Sequence, residues 1–102
     1  MDTIAERVLM LEVPGSEQPS PIRVLLGKPE RRDTGEWVTP YEIHGPGPED
    51  VWRAHACGVD AMQSLVLGLF VLPHELEVRI ARFGRLTWDG NPDLGLSHTA
   101  VP

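Results

Sequence analysis

The chain has 102 residues with 41% hydrophobic side chains, enough for one modest core and one domain. Its formal net charge of -6 sets an average field that repels phosphate backbones and anionic lipid surfaces, so neither nucleic acid nor membrane is an expected partner. One cysteine, Cys57, cannot close an internal disulfide, which fits a reducing cytoplasmic setting.

The first half of the chain, residues 1–57, is rich in strand signals. Its N-terminal residues include acidic Asp2 and Glu6 and no basic stretch, unlike a signal peptide. Val8–Val13 is apolar and extended, and Pro14-Gly15 stops it. The prolines and serines of residues 14–21 favour a loop, and Ile22–Leu26 is a second strand. The polar segment 28–36 is expected to be a loop, with Lys28, Arg31 and Arg32 a solvated basic cluster too short to form an anion site.

Trp37–Ile43 alternates, placing Trp37, Thr39, Tyr41 and Ile43 on one face and Val38, Pro40, Glu42 and His44 on the other. Pro40 lacks an N–H donor, which predicts an edge strand or a bulge there. Gly45-Pro46-Gly47-Pro48 is a helix-excluding turn. Val51–Cys57 reads as a strand with Trp52, Ala54 and Ala56 inward and Arg53 and His55 outward. Helix is the alternative, since alanine suits it, but Gly58 and a helix start follow immediately.

Asp60 with Gln63 has the form of a capping box, in which the carboxylate accepts an amide hydrogen bond at the positive helix end. No hydrophobic staple accompanies it, because Ser64 stands where Val59 would find its apolar partner. The helical region, residues 60–83, is apolar nearly all round from Leu65 to Leu72, eight residues where a bilayer span needs ~20. A sheet covers one side of such a helix, and a homodimer partner is the simplest cover for the other. Pro73 either kinks this helix or opens a second. Leu76, Ile80 and Phe83, with Glu75 and Arg79 paired at i, i+4, favour helix up to a C-cap at Gly84, although Leu76, Val78 and Ile80 also alternate as in a strand. Arg85–Trp88 is a short strand, and residues 89–102 are a turn-rich tail with little to order its end.

Gly58-Val59-Asp60-Ala61-Met62-Gln63-Ser64-Leu65-Val66-Leu67, then Arg85-Leu86-Thr87-Trp88 and Asp93-Leu94-Gly95-Leu96, resembles a family of small bacterial domains of unknown function. That family's motif reads Gly-(Val/Ile)-Asp-x-x-Gln-Ala-Leu, with a later Leu-x-Trp and a Gly-Leu-Pro-like ending. The chain departs from it at Ser64, Pro73 and Ser97. The resemblance implies an α+β fold and a bacterial origin, and it carries no activity.

The expected fold is α+β: a mostly antiparallel sheet of four to five strands with a long or Pro-broken helix on one face. No catalytic set stands out. His55 and Cys57 with Asp60 and His74 supply one closely spaced pair where zinc needs three or four ligands, so neither metal nor cofactor is expected. The leading expectation is a non-catalytic protein-binding module, in concrete form an immunity- or antitoxin-type protein that neutralises a basic partner. Trp37, Tyr41 and Trp52 would serve as aromatic anchors within an acidic rim of Glu42, Glu49 and Asp50. One alternative is a small enzyme or ligand-binding protein with a pocket between sheet and helix, His55, Cys57, Asp60 and Gln63 at its mouth. Another is a structural homodimer built on the helix from Leu65 to Leu72.

Overall fold

A computed structural model describes residues 1–96. Strand β1 spans Thr3–Glu12, β2 Ser20–Gly27, β3 Glu30–Arg31, β4 Trp37–His44 and β5 Val51–Gly58. Helix α1 covers Ala61–Arg79, a 3-10 turn Ala81–Phe83 follows, and β6 is Arg85–Thr87. The fold is α+β, an antiparallel sheet with one helix packed against it, and the six strands exceed the four to five expected. The extra strand is β3, inside the segment expected to be a loop, and it pairs Glu30 with Val38 and Arg31 with Trp37.

β1, β2, β4 and β5 form an antiparallel meander, and α1 returns the chain so that β6 pairs with the far side of β1. Strand β4 is therefore not an edge, contrary to the expectation drawn from Pro40. One side pairs with β5 along its full length, and the other is divided between β3 at Trp37–Val38 and β2 at Tyr41–His44. Pro40 stands where that side passes from one neighbour to the other, so its missing N–H interrupts no ladder there. Gly27, at the end of β2, packs against the proline ring.

Strand alternation sorts the two sheet faces. Leu9, Leu11, Ile22, Val24, Leu26, Tyr41 and Ile43 form the core with Leu72, Leu76 and Ile80 of the helical segment. The opposite face carries a row across four strands, Glu6–Leu25–Glu42–Arg53, beside Val8–Arg23–His44–Val51. Arg23 pairs with Glu6 at 2.7 Å and Arg53 with Glu42 at 3.4 Å, the cross-strand charge pairing typical of a solvated sheet face. Arg23 holds the Glu6 carboxyl below its usual range. His44, with Arg53 behind it, does the same to Glu42.

The helix begins as its cap predicts. The Gln63 amide donates to Asp60 Oδ1 at 2.7 Å. Gln63 Oε1 accepts from the Val59 amide at 2.7 Å, one residue earlier than the standard reciprocal bond. Asp60 thus serves the helix end and is not turned toward a cleft beside His55 or Cys57. Ser64, Gly68, Leu72, Glu75 and Leu76 form the buried stripe of α1. Its first half is small, so the helix settles closely onto β4: a Cβ on Gly68 would lie 3.1 Å from the Thr39 methyl. Ser64 donates to the Ala61 carbonyl at 2.9 Å. Its oxygen therefore accepts from the buried Thr39 hydroxyl at 2.8 Å.

Pro73 lies inside α1 without ending it. The helix stops at Arg79 rather than Phe83, and Gly84 closes the 3-10 turn in extended conformation instead of serving as a left-handed cap. Glycine is needed at 84 because a Cβ there would collide with the Glu12 carbonyl of β1. The first part of the tail is held as far as Leu96. Trp88 and Asn91 form a bridge, Arg7 donates to the carbonyls of Leu94 and Gly95, and Leu94 and Leu96 pack against the core. Ser97 and the rest of the tail lie outside the described residues. Among the described residues no helix is long and apolar enough to cross a membrane.

Candidate functional site

Among the described residues Glu75 is the one carboxylate of the buried polar side chains, 9% exposed, on the helix stripe between Leu72 and Leu76. Three side chains from three elements converge on it. Tyr41, inward on β4, donates its hydroxyl to Oε2 at 3.0 Å. Trp52, inward on β5 and diagonal to Tyr41, donates Nε1–H to the same oxygen at 2.6 Å. Arg79, one turn along α1, brings Nε to 3.4 Å from Oε1. That separation suits an ion pair but not a hydrogen bond, and the buried Nε–H has no other acceptor. The guanidinium lies flat on Trp52, with its carbon 3.2 Å from the ring centroid.

Burial, and then the Glu75 carboxylate that takes its proton as a hydrogen bond, push the Tyr41 hydroxyl up to about 12. Tyr41 is the only tyrosine, so its phenolate absorbance can be read without interference. Absorbance titration of the folded chain is expected to show a midpoint near pH 12, against about 10 once it is unfolded. Because the folded value is raised, this contribution to stability is complete below pH 10 and fades as pH climbs toward 12. A native midpoint of 10 would mean that the hydroxyl does not face a carboxylate.

Beside this cluster, at the C-terminal end of α1, a cleft of about 410 Å³ opens between the β4–β5 turn and the 3-10 turn. Ile43, Val78, Ile80 and Phe83 supply its apolar lining, the rest of the lining is mixed, and Arg79 and Arg82 stand along it. Asp50 also lines it, but its carboxylate already accepts from the Gly47 amide at 2.8 Å.

The residues read as a partner surface do not form one face. Tyr41 and Trp52 point toward the helix, whereas Glu42 belongs to the opposite face, where it pairs with His44 and Arg53. Tyr41 is 4% exposed and shares the Glu75 oxygen with Trp52. Trp37 is half-buried at the start of β4, and Glu49 and Asp50 are exposed on the turn before β5. Two tryptophans are covered by arginines of their own chain, Trp52 by Arg79 and Trp88 by Arg7, whose guanidinium carbon is 3.7 Å from the ring centroid.

The alternative pocket is not assembled either. Arg32 donates to His55 Nε2 at 3.1 Å, Cys57 is exposed, and Asp60 is occupied by its cap. Among the described residues no group of three or more His, Cys, Asp or Glu side chains comes together as a metal site. Glu75 was missed in the sequence because, with Arg79 at i, i+4, it looks like an ordinary surface pair. Its place one residue before Leu76, on the stripe with Leu72, is the signal that could have found it.

A family model described as a domain of unknown function, DUF6968, matches residues 5–98. The chain belongs to this family. The match begins inside β1 and runs through β6, so the DUF6968 unit includes nearly all of the sheet, the Glu75 cluster and the cleft together. No curated protein and no solved structure matches the chain.

Beyond the cleft, the outward side of α1 is apolar. Met62 is 69% exposed, Val66 53% and Leu67 40%. Residues 61–74 contain no Asp, Glu, Lys or Arg.

Proposed function

We propose that the chain is a non-catalytic protein-binding module of the bacterial cytoplasm, that it associates through the outer side of α1, and that the molecule seated there is a second copy. The observation that carries this reading is the exposed, uncharged stripe of Met62, Val66 and Leu67. Contiguous apolar surface of this kind marks interaction sites.

The identity of the occupant follows from charge. A basic partner would find no carboxylate between residues 61 and 74. A second copy meets a like face across a two-fold axis and desolvates no charge. The immunity- or antitoxin-type role, which needs a basic partner, draws less support. Glu42 is already neutralised by its neighbours, and Asp50 is tied to its own turn.

Light scattering on the intact chain tests this. The expected mass is twice the 11.3 kDa of one chain. Val66→Asp and Leu67→Asp would each place a charge in the contact and raise the dissociation constant about tenfold or more, with unchanged far-ultraviolet circular dichroism. A wild-type chain of single mass up to about 1 mM would overturn the self-association reading.

A further inference from the structure

We propose that the cleft at the C-terminal end of α1 binds a small carboxylate carrying an apolar body, with the carboxylate on Arg79 and the body against Val78, Ile80 and Phe83. The site lies at the opposite end of α1 from Met62 and stands independently of how the helix face is used.

Arg79 is held before any ligand arrives. Glu75 faces its Nε side and Trp52 lies under its plane, so the guanidinium is fixed in position and orientation. Among the described residues its terminal nitrogens donate to no protein acceptor, and the side chain lines the cleft. A planar donor fork of this kind matches the two oxygens of a carboxylate. Arg82, stacked near Phe83 at 4.7 Å, stands along the same cleft as a second cation.

The remaining walls set the rest of the ligand. Val78, Ile80 and Phe83 give an apolar part beside the arginines, and about 410 Å³ falls in the lower part of the range for small-molecule sites, so a ring with a short chain fits. A dianion is disfavoured. Glu75 already offsets one charge of the arginine pair, Asp50 stands on the cleft wall, and the chain carries a net charge of -6.

The same chemistry is offered by a free aryl-alkanoic acid and by the C-terminal carboxylate of a peptide ending in an aromatic residue. The test uses both. The intact chain, labelled with 15N, is titrated with 3-phenylpropionate, its primary amide, phenyl phosphate, and N-acetyl-Ala-Phe as free acid and as amide. The Trp52 indole N–H resonance, identified by its loss in Trp52→Phe, is the readout.

Saturable shifts are expected for both acids, with the amides about tenfold or more weaker, as loss of a charge-assisted pair requires. Tighter binding of phenylpropionate assigns a free acid, and tighter binding of the acetyl dipeptide assigns a chain terminus. Arg79→Lys keeps the charge and loses the fork, and Arg82→Gln removes the second cation without touching Glu75. Both variants are expected to weaken the acids and leave the amides unchanged. The proposal is overturned if neither acid saturates by about 10 mM, if acid and amide bind alike, if phenyl phosphate binds more tightly than either acid, or if both folded variants bind as the wild type does.

Discussion

Replacing Glu75 with leucine is expected to destabilise the chain by about 3 kcal/mol, because it strips the acceptor from two donors that face the helix at once. The Tyr41 hydroxyl and Trp52 Nε1–H both point at Oε2, and Tyr41 is too deeply placed to turn to water. For a domain of this size the loss corresponds to roughly 12–24 °C in melting temperature. Leucine would add apolar contact beside Leu72 and Leu76, but an orphaned buried hydroxyl outweighs a few methylenes.

Glu75→Gln is expected to cost much less, about 1 kcal/mol, since its carbonyl oxygen still accepts from both donors and only the ionic share is lost. A thermodynamic cycle separates the cause from mere size. In the wild type, Tyr41→Phe should lose about 1 kcal/mol. In the Glu75→Leu background it should be neutral or stabilising, because it removes the group left unpaired. If Glu75→Leu melts within a few degrees of wild type, or if Tyr41→Phe costs the same in both backgrounds, the carboxylate is not the joint between helix and sheet.

Local patterns were legible where one element sufficed to write them. The alternation of Trp37–Ile43 put Thr39, Tyr41 and Ile43 on one shared face, which the fold buries, and Asp60 with Gln63 announced the start of α1. Trp52 faces inward on β5 as its spacing suggested. What escaped depends on partners distant in the chain. Glu75 acquires its meaning from Tyr41 and Trp52, 34 and 23 residues away, and no short window contains that information. Pro40 misled for the same reason. A proline tells of a missing donor, but whether a neighbour needs that donor is decided by where β2 ends and β3 begins. The two residues of β3 hold no apolar pattern, and they pair only because β4 presents a vacant stretch of backbone. The tail is ordered to Leu96 by an arginine of β1, Arg7, which the composition of residues 89–96 does not betray.

Gly58→Ala is expected to cost about 2–3 kcal/mol, more than loss of the helix cap two residues later. An added Cβ would stand 2.5 Å from the Ser64 amide nitrogen and 3.0 Å from the Gln63 carbonyl carbon, both backbone atoms of the first helical turn. A flexible side chain could yield, but this turn cannot do so cheaply. Ser64 is tied to Thr39 beneath it, and Gly68 sits one turn further along against the Thr39 methyl, so lifting the helix start breaks the closest contact between α1 and β4.

Asp60→Ala removes one hydrogen bond at an exposed end and should cost only about 1 kcal/mol. The two losses are not additive, because both act on the same turn. Once the alanine at 58 has displaced the amide of Gln63, the carboxylate at 60 has less to cap, so the double variant should melt higher than the summed losses predict. Thermal or urea unfolding of the four chains measures this directly. An additive cycle, or a Gly58→Ala chain as stable as wild type, would show that β5 and α1 are joined loosely enough to admit a methyl group. The helix would then be positioned by its Glu75 end alone.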